Sequence, residues 1–205
     1  MLKSDITVYC SGGIRKGNRD GDKLCWSTVE REIFRSGARP CRTTFLNPDD
    51  PLPDLSDSEA VFGRDMCQVR AADVIVVDAR ERRGVGIGVE IVAAKFFGKF
   101  VVVVAPEDSH YRKAQLAYRG TTVHDYVHPH LAALSDAIVS NFSDAGKWAA
   151  DAVRSRRVAK GVDTLQAAIN AYEKRLLQSD TAMAAFAETA EEVTQWEQRP
   201  APVPA

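Results

Sequence analysis

The residues best suited to chemistry in this sequence are a glutamate and three alternating glycines that follow an apolar run. Val74–Val77 is the apolar run, and Gly84, Gly86 and Gly88 come shortly before Glu90. Glycines at the carboxyl end of a buried strand leave backbone N–H groups free to hold a ligand. Glu90 falls in the first turns of the helix that would follow, so its carboxylate should lie beside those N–H groups. The pattern predicts a ligand site.

A second glycine-rich segment follows the first predicted strand. Ile6–Ser11 runs into Gly12–Gly17, which contains Arg15 and Lys16. Glycines combined with cationic side chains after a strand are suited to holding phosphate. The segment is not a P-loop, because Asn18 stands where that motif needs Lys. The alternative is a plain turn between a strand and a helix that needs glycine only for its geometry.

Strand-like and helix-like segments alternate along the first part of the chain. Val101–Val104 is a second β-branched run after the Glu90 segment, so these residues predict a β-α-β unit of a parallel, buried sheet. Further strands are predicted at Ile6–Ser11, Arg42–Leu46 and Ala137–Ser140. Helices are predicted from about Asp22 to Ser36, from Ser56 or Asp57 to Arg70, and from about Ser143 to Lys160. We therefore predict an α/β fold, a Rossmann-like (flavodoxin-like) parallel sheet of about five strands flanked by helices.

Two local features refine this prediction. Ser56, with Glu59 three residues later, fits a capping box at the start of its helix. The polar segment 107–130 carries three tyrosines and shows no clear period. We expect it to be a loop that covers a ligand.

Composition excludes several classes of protein. The 205 residues carry a net charge of −1 with both signs interspersed, which argues against a nucleic-acid-binding surface. No apolar run is long enough to span a membrane, and the first residues are typical of a strand rather than of a signal peptide. The four cysteines show neither CxxC pairs nor a disulfide framework. We expect a reduced, soluble, cytoplasmic protein.

No metal or cofactor is expected. His124 and His128 have i,i+4 spacing, but Pro129 breaks the helix that such a pair of metal ligands would need. A dinucleotide cofactor would need the pattern G-x-G-x-x-G after the first strand. Here the glycines follow the third strand instead. In addition, Val89 occupies the position at which the last glycine of that pattern would stand.

The end of the chain changes character. Apolar residues recur at steps of three and four, which describes one face of a long helix that is interrupted near Ser179-Asp180. This apolar seam comprises Leu165, Ile169, Tyr172, Leu176, Met183, Phe186, Ala190 and Val193. Such a face packs on its own domain or on a second chain. We divide the chain into an α/β catalytic domain at 1–145, a helical extension at 146–198 and a disordered tail at 199–205.

Three motifs together carry a resemblance to a known family. They are VYCSGGIR at Val8–Arg15, Asp65 eight residues before Asp73, and GVGIGVE at Gly84–Glu90. In this order and spacing they resemble the nucleoside 2-deoxyribosyltransferase superfamily, and most closely its 2'-deoxynucleoside 5'-monophosphate N-hydrolases. The resemblance covers about half of the chain, roughly Ile6–Val104.

The resemblance implies specific roles. Glu90 would be the catalytic carboxylate at C1' of the sugar, Asp65 would contact the sugar and take part in acid/base work on the leaving base, and Tyr9 would position the carboxylate and the sugar. It also implies two substrate-binding loops, one with Gly12, Ile14 and Arg15 and one, on the phosphate side, with Gly84, Gly86 and Gly88. The alternative for Glu90 is a residue without a catalytic role. An acidic side chain near a helix N-terminus interacts favourably with the helix dipole, which stabilises the fold by at most about 1 kcal/mol. The implied protein is a homodimer or a higher homo-oligomer.

One departure from the family pattern concerns the substrate. The transferases that act on unphosphorylated nucleosides carry an acidic residue six positions before the catalytic glutamate, where this chain has Gly84. Glycine there removes a negative charge and leaves an N–H group free, which favours a nucleoside monophosphate and its hydrolysis. Base exchange between nucleosides and a non-catalytic nucleotide sensor remain as alternatives.

Overall fold

The computed structural model describes residues 4–14, 26–82 and 84–189, and it divides the chain into two compact units, Met1–Val162 and Asp163–Ala205. The strands of the first unit are β1 (Asp5–Ser11), β2 (Arg42–Leu46), β3 (Val74–Asp78), β4 (Phe100–Val104), β5 (Arg112–Tyr118), β6 (Thr121–Val127) and β7 (Ala137–Val139). Its helices are α1 (Thr28–Ala38), α2 (Ser58–Ala71), α3 (Gly86–Phe96), α4 (Pro129–Leu134) and α5 (Phe142–Arg154). Of the second unit, α6 (Asp163–Arg175), a 3-10 turn (Leu177–Ser179) and α7 (Thr181–Thr189) are described.

Five parallel strands form the central sheet in the order β2-β1-β3-β4-β7, with helices on both faces. This confirms the predicted fold class. The strand order reverses between β1 and β3. From β1 the chain continues to β2 on one side of the sheet, and from β3 it continues to β4 on the other side. In register, Ser11 of β1 lies beside Val77 of β3, so both strands end at the same edge. That edge is where open α/β sheets hold ligands.

The core consists of one apolar layer on each face of the sheet. Side chains alternate along a strand, so Val8 and Cys10 pack with α1 and α5 on one face. Tyr9 and Ile75 point to the other face, where they pack with α2, α3 and α4. The same alternation puts Ser11 on the Tyr9 face, beside α3.

Helices α1 and α5 cross closely through two glycines. A Cβ on Gly37 would lie 2.0 Å from the Ser143 carbonyl oxygen, and one on Gly146 would lie 2.2 Å from the Phe34 carbonyl oxygen. The helix was predicted to end at Ser36, just before Gly37, but α1 continues through this glycine to Ala38. Glycine is thus required at this position by packing rather than as a helix breaker. The predicted start of the helix, at 22–25, lies outside the described residues.

Helix α2 starts where it was predicted to start, but its capping residue differs from the prediction. Asp57, not Ser56, is the N-cap, and its carboxylate accepts a hydrogen bond from the Ala60 N–H at 2.9 Å. The predicted Ser56 capping box is therefore wrong. A capping box is present instead at α1, where Ser27 and Glu30 bond each other's backbone N–H groups.

The prediction of a loop at 107–130 is also wrong, because β5 and β6 form an antiparallel hairpin there. Its two-residue turn has positive φ at both Arg119 (47°) and Gly120 (81°), as tight hairpin turns require. Most side chains of β6 are exposed, and its apolar residues do not alternate with polar ones.

The first unit reaches further along the chain than the predicted domain at 1–145. Helix α5 crosses that boundary, and Ala149 and Ala152 on it are fully buried. In the second unit, a 3-10 turn separates α6 from α7, which confirms the interruption predicted near Ser179. The Tyr172 hydroxyl donates to the Asp180 carboxylate at 2.9 Å across this break. The seam residues beyond 189 and the predicted disordered tail lie outside the described residues.

Two further observations concern the described part of the chain. None of its helices combines the length and apolarity needed to cross a membrane. Cys10, Cys41 and Cys67 are free thiols, and the first two are buried.

Candidate active site

The carboxylate of Glu90 lies at the edge of the sheet where β1 and β3 end, and it is only 8% exposed. The Tyr9 hydroxyl donates to its Oε1 at 3.0 Å, and the Ser11 hydroxyl donates to its Oε2 at 2.5 Å. Both oxygens are thus fixed by neutral donors from one strand. The geometry brings Tyr9 and Glu90 together, as expected for a tyrosine that positions a carboxylate.

Opposing effects act on the protonation of Glu90. Burial raises the pKa of its carboxyl group most strongly, the hydrogen bonds from Ser11 and Tyr9 lower it, and the negative charge of Asp65 raises it again, so the net direction is upward. The pKa of Tyr9 is raised by burial and by the charges of Glu90 and Asp65, so its hydroxyl stays protonated and can donate. The Glu90 carboxylate is therefore fixed by two hydrogen bonds and largely shielded from water. Both properties suit the capture of a cationic carbon.

Asp65 is a second carboxyl group close enough to influence Glu90. It lies half-buried on α2, and burial raises its pKa although the Arg64 guanidinium opposes this. Arg64 in turn is bound to the carbonyl oxygens of Asn47 and Pro48. A carboxyl group with a raised pKa beside a second carboxylate can supply a proton, which is the role predicted for Asp65.

A cleft of about 480 Å³ opens in front of Glu90 between the ends of β1 and β3. Gly12, Gly13 and Ile14 line it from the loop after β1. The segment after β3 and the start of α3 line the other side with Glu81, Arg82 and Gly84 to Ile87. The predicted residues Gly12, Ile14, Gly84 and Gly86 thus share one cleft with Glu90. Arg15 lies outside the described residues.

The start of α3 has no side chain that caps its backbone N–H groups. Val85 is its N-cap and offers no side-chain cap, so the N-terminal N–H groups are not satisfied by a capping side chain. A Cβ at Gly84 or Gly88 would meet nothing within 4 Å, so packing does not require glycine at either position. Gly88 does not line the cleft but faces a second cavity on the other side of α3. The start of α3 suits an anion or a polar ligand group.

Ser11 is the site residue that the sequence analysis missed. It was counted only as the last residue of a strand within a glycine-rich motif. The available signal was the spacing of two between Tyr9 and Ser11, which puts both side chains on one face of β1.

A network of buried charges supports the same edge. The Arg80 guanidinium donates to both carboxylate oxygens of Asp78 at 2.8 and 2.9 Å and also binds Glu30, with its Cζ 4.8 Å from the centre of the Phe142 ring. Asp78 is fully buried at the end of β3. The Trp26 indole N–H donates to the Ser11 carbonyl oxygen at 3.3 Å on the other side. These contacts fix the ends of β1 and β3, and so the position of the Ser11 hydroxyl.

Among the described residues, no cluster of three or more His, Cys, Asp or Glu side chains could hold a metal ion. The rings of His128 and His130 lie 5.1 Å apart, outside the cleft. His124 lies on β6.

No protein-family model matches this chain, and no curated protein matches it in sequence. The solved structures that are similar to it include two 2-deoxyribosyltransferases. A 2-deoxyribosyltransferase from Leishmania mexicana superposes with a TM-score of 0.50 at 15% identity, covering 71% of this chain and 97% of that chain. A 2-deoxyribosyltransferase from Bacillus psychrosaccharolyticus superposes with a TM-score of 0.45 at 15% identity, covering 68% of this chain and 90% of that chain. The similarity to the first of these shows that the chain has its fold, a five-stranded parallel sheet flanked by helices.

Proposed function

We propose that this protein breaks the N-glycosidic bond of a nucleoside-type substrate, with Glu90 at C1' of the sugar. The observation that carries the proposal is the Glu90 carboxylate, buried at the mouth of the β1/β3 cleft with each oxygen held by one hydroxyl group. An immobilised carboxylate with few solvent contacts stabilises or captures a carbon that gains oxocarbenium character.

The reaction runs in two steps. The C1'–N bond breaks, its electron pair leaves with the base, and an oxygen of Glu90 bonds to C1'. The protonated carboxyl group of Asp65 gives its proton to the departing base. An acceptor then attacks C1', the bond to Glu90 breaks with its electron pair returning to the carboxylate, and the proton of the acceptor passes to Asp65.

The acceptor decides the class of enzyme. A second base gives base exchange, and water gives hydrolysis. Because the Leishmania mexicana structure whose fold this chain shares is named a 2-deoxyribosyltransferase, base exchange on a deoxynucleoside is the first candidate. The two candidates share the first step and the residues that perform it.

Hydrolysis of a nucleoside 5'-monophosphate is the second candidate. Arg82 lines the cleft beside the bare N-terminus of α3, and both features favour an anionic group. Arg15, from the resemblance, would add a second cation. The missing acidic side chain at Gly84 supports the same candidate, because a carboxylate there would repel phosphate.

The experiment is base release, measured by chromatography, from nucleosides, deoxynucleosides and their 5'-monophosphates, with and without a second free base. A new nucleoside that forms only with the added base identifies base exchange. A free base and a sugar phosphate formed in water alone identify monophosphate hydrolysis. Tight nucleotide binding without release from any substrate would leave the non-catalytic sensor and contradict both candidates.

We further propose that the protein is a homo-oligomer. Helices α2 and α3 expose Phe62 and Phe96, which are 53% and 72% exposed, along a groove that is apolar throughout. Large apolar patches of this kind mark protein interfaces in soluble proteins. Light scattering that finds a monomer at all concentrations would contradict this.

A further inference from the structure

A second cavity lies on the far side of α3 from Asp65 and α2. It has a volume of about 270 Å³ and lies between α3, α4 and the base of the β5–β6 hairpin. Its walls include Val77 and Ala79 at the end of β3, Ile91 on α3, and Leu131 and Leu134 on α4. We call it the α3–α4 cavity. Its volume is close to the lower end of what small-molecule sites enclose, about 300 Å³.

The α3–α4 cavity adjoins the cleft that holds Glu90. Gly84 and Ile87 line both spaces. Gly84 brings no side chain, and even a Cβ at this position would meet nothing within 4 Å. A substrate held at Glu90 can therefore extend across Gly84 into the cavity without displacing a side chain there.

The lining of the cavity favours an uncharged, flat group. No Lys, Arg, Asp or Glu among the described residues lines it, and its polar side chains are Tyr111, His128 and His130. The pKa of His128 is lowered by burial and by His130 and His110, so its imidazole is neutral near pH 7. A phosphate dianion would find no compensating charge on these walls, whereas an apolar or aromatic group would bury its surface.

One polar atom at this cavity lacks a protein partner. The Nδ1 atom of His128, a lining residue, is buried and makes no hydrogen bond within the described part of the chain. The rings of Tyr111 and His128 stand nearly perpendicular, 5.7 Å apart, on the same wall. Tyr111 and His128 therefore give this wall two aromatic rings against which a flat apolar group can pack.

The positions of the two carboxyl groups give the direction of the substrate. Asp65, the proton donor to the leaving base, lies on α2, so the base belongs on the α2 side of Glu90. The sugar then extends from C1' toward the other side of α3, past Gly84. Its 5' end is the part that reaches the α3–α4 cavity.

We propose that the α3–α4 cavity binds an apolar or aromatic 5' substituent of the nucleoside substrate, such as a 5'-thioether or 5'-ether group. This inference rests on the proposed function for its direction, and it names the substrate class of that site. It refines the first candidate, which takes a nucleoside without a 5'-phosphate, and it competes with the second, which requires a 5'-phosphate.

The test compares three substrates that share one base and one sugar and differ at the 5' position: hydroxyl, phosphate and phenylthio. We expect wild-type kcat/KM to be at least about 10-fold higher for the phenylthio substrate than for the other two. Leu134→Trp, which fills the cavity from α4, should abolish this preference and leave the 5'-hydroxyl substrate unchanged. The control change Val158→Trp, at a residue of the first unit that is 93% exposed and lines neither the cleft nor the cavity, should alter neither rate.

Leu134→Ala is the second variant, since it enlarges the cavity and cannot overfill it. It should shift the preference from phenylthio toward the bulkier naphthylthio substrate. A preference for the 5'-phosphate, or equal rates for all three substrates in the wild type, would overturn the inference.

Binding separates this inference from the proposed reaction. Calorimetric titration of wild type with the phenylthio nucleoside should give a Kd about 10-fold lower than with the hydroxyl compound, and Leu134→Trp should remove the difference. This result without any base release would support the cavity as a subsite and contradict the proposed function. Base release with no difference in Kd or rate between these substrates would support the proposed function and contradict the cavity as a subsite.

Discussion

Ser11 donates a 2.5 Å hydrogen bond to Oε2 of Glu90 across 79 residues of sequence, and its side chain is fully buried. Together with Tyr9 on Oε1, it fixes the plane of the carboxylate relative to β1. A carboxylate with two fixed hydrogen bonds loses little freedom when it meets C1'.

Ser11→Ala is expected to lower kcat by about 10- to 100-fold, since a hydrogen bond to a charged group contributes roughly 1.5–3 kcal/mol. The Ser11 hydroxyl favours the ionised form of Glu90, so its loss raises the pKa of Glu90 further. The acidic limb of the pH–rate profile should therefore move to higher pH. Ser11→Cys has a side chain of similar volume that is a weaker hydrogen-bond donor. Its kcat and its acidic limb should lie between those of wild type and Ser11→Ala. An unmoved acidic limb in Ser11→Ala would contradict this role.

Tyr9→Phe removes only the hydroxyl group that binds Oε1. We expect a loss in kcat of about 10-fold or more with little change in KM, because the bond positions the carboxylate rather than the substrate. Steady-state kinetics on the best substrate measures both. A raised KM with unchanged kcat would mean that Tyr9 binds the ground state instead.

Glu90→Gln should make the protein more stable at neutral pH. The folded-state pKa of Glu90 lies above its unfolded value, so the folded state binds the extra proton and loses stability as pH rises from the unfolded value through the folded one. The glutamine variant lacks this loss. Its gain over wild type should be present at pH 7 and vanish near pH 4. Urea unfolding at both pH values measures this difference in stability. Equal stability of the two proteins at pH 7 would show that burying the ionised Glu90 carboxylate does not destabilise the fold.

Lys95 and Asp136 form a buried ion pair that fixes α3 to the sheet, with side chains only 1% and 7% exposed. Asp136 also accepts the Val101 N–H at 2.7 Å, at the second residue of β4. Lys95→Met leaves this carboxylate buried without its cation and should cost about 3–5 kcal/mol of unfolding free energy. The double change Lys95→Met with Asp136→Asn should cost less than the single one. A larger loss in the double variant would show that the pair is not what Lys95 supplies.

Two helix glycines should respond in opposite ways to alanine. Gly37→Ala places a Cβ 2.0 Å from the Ser143 carbonyl oxygen, so α1 and α5 must separate, at a cost of about 1–3 kcal/mol. Gly63→Ala, on α2, meets nothing within 4 Å and should stabilise by up to about 1 kcal/mol. Chemical unfolding of the pair is the measurement, and similar losses in both would place the α1–α5 contact elsewhere.

The sequence predicted the sheet well, because its signals are local. Val74–Val77 and Val101–Val104 are buried on both sides and are therefore apolar without interruption, and the glycines before Glu90 mark the start of α3. The hairpin was missed because β6 is largely exposed and shows no apolar alternation, so only β5, with Ala114, Leu116 and Tyr118 at every second position, carried a strand pattern. The two-residue turn at Arg119-Gly120 was the signal that would have revealed it.

The site was predicted unevenly for a similar reason. Glu90 stood out by its place after the glycines, but its partners Tyr9 and Ser11 lie about 80 residues away, and only the resemblance indicated Tyr9. Arg80 was not singled out, because its role depends on Glu30, which the fold brings from α1. Contacts of this kind depend on strand order, which no local pattern contains.

The central claim is that Glu90 performs the cleavage of the C1'–N bond. Its most direct test is base release from the best substrate by wild type, by Glu90→Gln and by the matched surface change Glu59→Gln. We predict that Glu90→Gln lowers the rate by about 10³-fold or more while still binding substrate, and that Glu59→Gln equals wild type. Base release by Glu90→Gln at a rate within a few fold of wild type would contradict the account.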